Sequence, residues 1–312
     1  DRLAHARGET GSFRLAGGGG AALPATDPLA RAPLLAVAAL ELGRSTRIRL
    51  AAPLRAEDLP EAVAARVTES VESGLDPVAG QVLSRRRRRL GALVLEDRMV
   101  AADPAETARV LAEAAAARGL PWSPAARQFQ ARVLLMRGLE PGAWPDLSDA
   151  AIAATAATWL APFLGGLTRL AEVARVDLLP ALRALLGPGQ EPLLDRALPA
   201  ALPLPGGRAV VDYAEPVPLA AARAQAFYGL RTTPVLAAGR VGLRLALLSP
   251  AGRPVAVTAD LAAFWRGAWA EVRKDMRGRY PKHDWPEDPG AGPTRPASSR
   301  PWAGPPKDHR LK

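Results

Sequence analysis

The chain has 312 residues, a formal net charge of +10, and 48% hydrophobic against 23% charged residues. That is enough apolar material for two or three packed domains, and the excess of cations favours polyanionic partners such as nucleic acid. The absence of cysteine excludes disulfides, thiolate nucleophiles, zinc fingers and iron–sulfur clusters, and fits a reducing compartment.

No run of about 18 apolar residues is free of charge and proline, so no transmembrane helix is expected. Asp1–Leu23 lacks a charged start followed by an apolar stretch, so it is not a signal peptide. We therefore expect a cytoplasmic protein. The chain opens on Asp-Arg-Leu without an initiator methionine and reads as the downstream part of a longer protein.

Asp1–Gly20 is polar and loop-like, and its four glycines (Gly17–Gly20) read as a turn between short strands. No Lys-Ser or Lys-Thr follows them, so they are not a phosphate-cradling loop. Leu34–Leu42 and Thr46–Leu50 read as strands around a Gly-Arg-Ser hairpin turn. Leu59–Ser70 reads as a helix or irregular crossover, and Val67–Val71 and Val82–Leu95 as further strands. Several short strands within about a hundred residues suggest a small barrel. Inside the last strand stand five consecutive arginines: Arg85, Arg86, Arg87, Arg88 and Arg89. In a strand, alternate arginines face opposite sides, so two or three can meet one ligand. Two readings are open: a solvated edge strand guarded by charge, or a nucleic-acid contact.

From Pro104 the pattern turns helical. Pro104–Arg118 is Ala-rich, with Glu106 in its first turn and Gly119 just past its end. Ser123–Met136 places Phe129, Val133 and Met136 on one face. Ser148 is the expected N-cap of a helix over Asp149–Leu160, and Asp177–Leu186 is a shorter helix. Gly187–Leu204 reads as a proline-rich connector. Then come a strand in Gly206–Tyr213, a helix over Leu219–Tyr228, and strands in Gly239–Leu248 and Val255–Thr258. The sequence beyond Pro289 is rich in Gly, Pro and Ser and is expected to be disordered.

The most informative stretch is Thr258–Pro289. Leu261, Phe264, Trp265, Ala268, Val272 and Met276 recur at helical spacing behind a Thr258 N-cap, and Gly278 and Pro281 predict the stop. Arg277, Arg279, Lys282 and His283 then surround Tyr280, and three prolines keep the chain extended. This segment reads as a strap packed on its own domain by Tyr280 and Trp285. It also reads as a basic, aromatic edge that meets phosphates and stacks on a base, and the two are compatible.

Catalytic constellations are missing. The four lysines are followed by Asp275, His283, Asp308 and the chain end, so no Gly-Lys-Ser/Thr nucleotide loop exists, and there is no acidic DExH-type box. Three scattered histidines cannot form a metal site, and no Gly-x-Ser-x-Gly elbow is present. We expect no catalytic, cofactor-binding or metal-binding residue in this chain.

DLAAFWRGAWAEVRKDMRGRYPKHDWPEDP closely resembles the carboxy-terminal signature of the bacterial ATP-dependent helicase family HrpB, of the DExH type. DRLAHARG, RIRLAAPL, RRRRRLGALVL, GLPW, WPDLSD, WLAPFLGG, VDYAEP, TTPVLAAGRV and LLSPAGRPVAVT resemble the same family in the same order. The chain departs from the family pattern at ALPAALPLPGGR and AQAFYG. The resemblance implies an oligonucleotide-binding (OB) type fold at the N-terminal barrel. It also implies motor domains outside this chain, where ATP and Mg would act.

The expected fold is α+β: an OB-like barrel domain over 1–103, a helical unit over 104–187, and a mixed α+β domain over 188–289. The last of these carries a long terminal helix and an extended basic tail, with disorder over 290–312. The expected function is that of an accessory portion of a helicase, guiding single-stranded RNA or DNA beside the motor domains of the same protein. Its expected contacts are Arg85–Arg89, Arg273, Lys274, Arg277, Arg279, Tyr280 and Lys282. The alternative is a non-catalytic interaction module that docks the motor or an acidic partner.

Overall fold

The computed structural model of the chain describes residues 2–43 and 45–292. It divides into two compact units. The first is built from the chain up to Gly119 together with Leu160–Arg175; the second comprises Leu120–Trp159 and the chain from Val176 onward. The helical stretch 104–187 is thus shared between them.

In the first unit, β1 (Leu3–Ala6), β2 (Ser12–Leu15), β3 (Gly20–Ala22), β4 (Leu34–Glu41) and β5 (Arg47–Pro53) close a barrel in the order β1-β2-β3-β5-β4. β1 and β2 fall in the stretch expected to be loop-like and β3 begins at its last glycine, so Gly17–Gly20 do lead from one short strand to the next; each of the three has only three or four residues. Alternation over so short a span is too brief to read as a strand. Ala4, Phe13, Ala21, Leu35, Val37 and Ile48 fill the barrel. Gly11, at φ +81°, belongs to its turn: a Cβ there would lie 2.3 Å from the Leu23 carbonyl oxygen.

The barrel is smaller than expected, because the residues beyond it form a separate antiparallel sheet. This sheet consists of β6 (Thr68–Leu75), β7 (Val82–Leu90) and β8 (Leu93–Val100), in that order. The single strand expected over Val82–Leu95 is therefore two. Gly91, at φ +56°, turns the chain, and a Cβ on it would meet the Ala16 carbonyl oxygen at 2.6 Å. Leu3, Ala16, Leu34, Leu90 and Leu93 form a second core that joins the base of this hairpin to the barrel. Helix α1 (Pro104–Arg118) follows, with the Asp103 side chain accepting from the Glu106 amide at 2.8 Å.

The second unit opens with α2 (Pro124–Leu139), capped by Ser123. The helix expected over Asp149–Leu160 breaks at Thr155 into two short pieces. The expected connector instead contains α3 (Gln190–Ala197) and β9 (Ala201–Leu204). A sheet then runs β13-β12-β11-β10-β9, with β10 (Gly207–Asp212), β11 (Leu219–Arg223), β12 (Arg244–Leu248) and β13 (Pro254–Thr258). Residues 219–223 were expected to be helical. They form a strand because Leu219–Arg223 pairs in parallel with Arg244–Leu248 on one side and antiparallel with β10 on the other. Small alanines suit that central position, and tertiary pairing overrides their helix propensity.

The long terminal helix is also two helices, α4 (Leu261–Arg266) and α5 (Trp269–Arg279). Asp260, not Thr258, caps α4 by accepting from the Ala263 amide at 2.9 Å. Gly267 breaks the helix at φ −119°, ψ −90°, and α5 runs through Gly278 to Arg279. In the stretch expected to be disordered, Pro289–Ala291 forms a 3₁₀ turn; residues 293–312 lie outside the described residues.

Candidate nucleic-acid interface

The five arginines of β7 occupy a central strand, not an edge, and acidic residues flank them on both sides. Arg85 and Arg87 reach Asp97 on β8 at 2.9 and 3.2 Å. Arg87 and Arg89 reach Glu72 on β6 at 2.5 and 3.5 Å. On the opposite face, Arg86 meets Glu69 at 2.6 Å and Arg88 meets Glu96 at 3.6 Å. The register explains this, because Arg88 lies opposite both Glu69 and Glu96, and Arg87 lies opposite Asp97. The hydrogen bond it donates to Asp97, with Glu72 beside it, holds the Arg87 guanidinium more firmly protonated than usual. All five cations are therefore engaged, each with a carboxylate from a neighbouring strand.

The cations of α5 and the following segment have different surroundings. The strap is held to an aromatic cluster made of Tyr228, Phe264, Trp265, Trp269 and Trp285. In it Trp265 and Trp269 meet edge to face at 5.1 Å between centroids. Each indole also donates to a carbonyl: Trp269 to Pro286 at 2.9 Å, Trp285 to Tyr280 at 3.0 Å, and Trp265 to Leu230 at 2.8 Å. The Tyr228 hydroxyl donates to the Asp284 carbonyl, and burial raises its phenol pKa. The strap expectation is thus borne out for Trp285, which is buried, while Tyr280 is half-buried against His283.

The expected contact residues divide by role. Arg273 donates to the Trp285 carbonyl and pairs with Glu287, both at 2.9 Å, so it clamps the strap. Arg279 pairs with Asp275 one turn back. Lys274, Arg277 and Lys282 are exposed and join no ion pair among the described residues. Arg266 on α4, which is not among the expected contacts, is likewise exposed with no ion pair among the described residues. Its signal was its place just before the helix break.

Among the described residues no group of His, Cys, Asp and Glu could hold a metal ion, and no helix is long and apolar enough to cross a membrane. The arrangement offers fixed positive charge beside an aromatic ring.

Comparison with known proteins adds the lineage. Residues 159–289 match the family model HrpB_C, described as ATP-dependent helicase C-terminal, and that match includes α5 and the strap. The chain is 38% identical over 307 residues to the ATP-dependent RNA helicase HrpB of Escherichia coli K12; the alignment covers 95% of this chain and 38% of that protein. It superimposes on the crystal structure of the E. coli DExH-box NTPase HrpB with a TM-score of 0.61 at 36% identity, covering 95% of this chain and 38% of that one. A second structure, of the E. coli DEAH/RHA helicase HrpB, gives 0.55 at 34% identity over 91% of this chain and 37% of that one. The chain thus spans well under half the length of these relatives.

Proposed function

This chain is a carboxy-terminal region of an HrpB-like helicase, and from that premise we propose that it binds single-stranded nucleic acid beside the motor domains of the same protein. The observation that carries this reading is a set of exposed cations, Lys274, Arg277 and Lys282, that join no ion pair among the described residues and lie near the half-buried Tyr280 in the sequence. Lys274 and Arg277 stand on α5 and Lys282 on the strap, which the Trp269 and Trp285 indole hydrogen bonds pin. Unpaired guanidinium and ammonium groups give affinity for phosphate without sequence choice, and a fixed ring offers one base a stacking partner. Arg279 adds charge that it shares with Asp275, and Arg273 holds the strap in place. The five arginines of β7 form a weaker second contact region, because phosphate must compete there with four carboxylates. We read the closed barrel as OB-like. ATP hydrolysis with Mg belongs, in this reading, to the motor, and the whole acts in the cytoplasm on RNA or DNA.

The test is fluorescence anisotropy of the chain with labelled single-stranded RNA and DNA across a salt series. The wild type is compared with the triple variant Lys274→Ala, Arg277→Ala, Lys282→Ala. Each phosphate contact contributes about −0.7 to the log–log salt slope, so the triple variant should flatten it by about 2. A wild-type chain that does not bind at low salt, or a variant that binds with an unchanged slope, overturns the reading. The domain would then be a docking module for its motor or for an acidic partner.

A further inference from the structure

The first unit contains a cleft of about 370 Å³ that nothing above has used, within the usual size range of ligand sites. One wall is Ala92–Asp97, six consecutive residues at the start of β8 and the turn before it. Side chains of a strand alternate between its faces, so an unbroken run can line one cleft only through the strand's edge. Topology agrees, since β8 pairs with β7 alone and ends the sheet. Beyond that pairing, Leu93–Arg98 makes no backbone hydrogen bond among the described residues. Arg88 pairs with Glu96 but Arg89 with Val94, which leaves Leu95 as an extra residue in the ladder.

The opposite wall consists of His5, Ala6, Arg7 and Arg14. Arg7 and Arg14 are exposed, and neither joins an ion pair among the described residues. His5 lies opposite Arg14 in the β1–β2 ladder, and its Nδ1 sits 3.1 Å from the Ala6 carbonyl oxygen. Two carboxylates also line the cleft, but both are occupied: Glu96 by Arg88 and Arg98, Asp97 by Arg85 and Arg87. The uncompensated charge is therefore positive. The His5 imidazole is its one aromatic ring, and no Phe, Tyr or Trp lines it, so it offers a base little to stack on.

We propose that this cleft docks an extended acidic segment of a partner protein, which adds as a strand to the free edge of β8 and sets its carboxylates against Arg7 and Arg14. An open strand edge supplies main-chain donors and acceptors in a row, which is the chemistry of strand addition. These two guanidiniums select for acidic side chains, because a charge-assisted hydrogen bond to a carboxylate is roughly twice as strong as one between neutral groups. The site is independent of the nucleic-acid contacts on α5.

The probe is a labelled peptide of alternating Glu and Val, titrated into the full chain by fluorescence anisotropy. Three companions accompany it: the Lys–Val counterpart, the Glu–Val peptide N-methylated at alternate amides, and a labelled oligouridine. The proposal expects binding of the Glu–Val peptide but of neither peptide companion, oligouridine binding unchanged by Arg7→Glu, Arg14→Glu, slowed amide exchange over residues 93–97, and roughly tenfold weaker Glu–Val binding by that variant. An unchanged thermal melt of that variant shows that the barrel is intact. If the variant melts early, the N-methylated peptide carries the test with wild-type protein. Equal binding of the methylated and plain peptides overturns strand addition. Failure of the Glu–Val peptide at low salt overturns the site. Oligouridine binding that Arg7→Glu, Arg14→Glu abolishes makes the cleft a nucleic-acid site instead.

Discussion

Strand β7 carries five arginines in five residues, and Arg273–Lys282 carries five cations in ten, yet their surroundings are opposite. On β7, every guanidinium faces a carboxylate contributed by β6 or β8. On α5 and the strap, Lys274, Arg277 and Lys282 are exposed, and among the described residues Arg273 and Arg279 are the cations there that join ion pairs. The denser run is the more nearly neutral one. Affinity for a polyanion depends on charge left uncompensated in three dimensions, so the sparser region is the better candidate.

The comparison breaks first if the strap is not a fixed platform. Trp269 is 1% exposed, and its indole touches Tyr228, Phe264, Trp265 and Trp285. Trp269→Ala should cost about 3–5 kcal/mol in denaturant unfolding of the second unit. Nucleic-acid affinity should fall with it, even at denaturant concentrations where the unit remains folded. An affinity that survives the loss of the indole would show that the cations act without the strap's geometry.

A second, smaller effect separates the two runs. Replacing Arg85–Arg89 with Ser should lower the melting midpoint of the first unit by roughly 5 °C, because Glu69, Glu72 and Asp97 then lose their arginine partners and Glu96 keeps only Arg98. Removing Lys274 and Arg277 of α5 and Lys282 of the strap should leave the melt nearly unchanged, because they make no ion pair with a described residue. Differential scanning fluorimetry distinguishes the cases. Equal melting losses in the two variants would erase the difference drawn between the regions.

How much of this was legible in the sequence follows from where each signal resides. Helix α1 and the starts at Ser123 and Ser148 were readable because a cap acts on amides two or three residues away. The strap was readable because Trp285 and the prolines near it are local features. The ladder's neutrality was not, since Glu69, Glu72, Glu96 and Asp97 become neighbours only through pairing across strands. Likewise, nothing in Leu219–Arg223 announces a strand until β10 and β12 are placed beside it. The break at Gly267 was hidden because Phe264, Trp265 and Trp269 suit one helix as well as two. Arg7 and Arg14 drew no notice, because a free arginine and a paired one are the same letter.

The smallest expected effect is the sharpest probe of the ladder's role. Glu72→Gln with Asp97→Asn removes the acceptor charge from Arg85, Arg87 and Arg89 while keeping side-chain size. If phosphate competes with those carboxylates, the double variant should bind single-stranded RNA about two- to threefold more tightly at low salt. Its salt slope should also grow more negative by up to about 2, one step of roughly −0.7 for each arginine that gains a phosphate. Glu69→Gln with Glu96→Gln frees Arg86 and Arg88 on the other face and serves as the internal control. A single strand tracking one face should respond to one pair and not the other, since alternate residues of β7 point to opposite sides. Equal gains from both pairs would mean a diffuse attraction to net charge. No gain from either would confine the ladder to holding its own sheet together, and leave the interface to α5 and its strap.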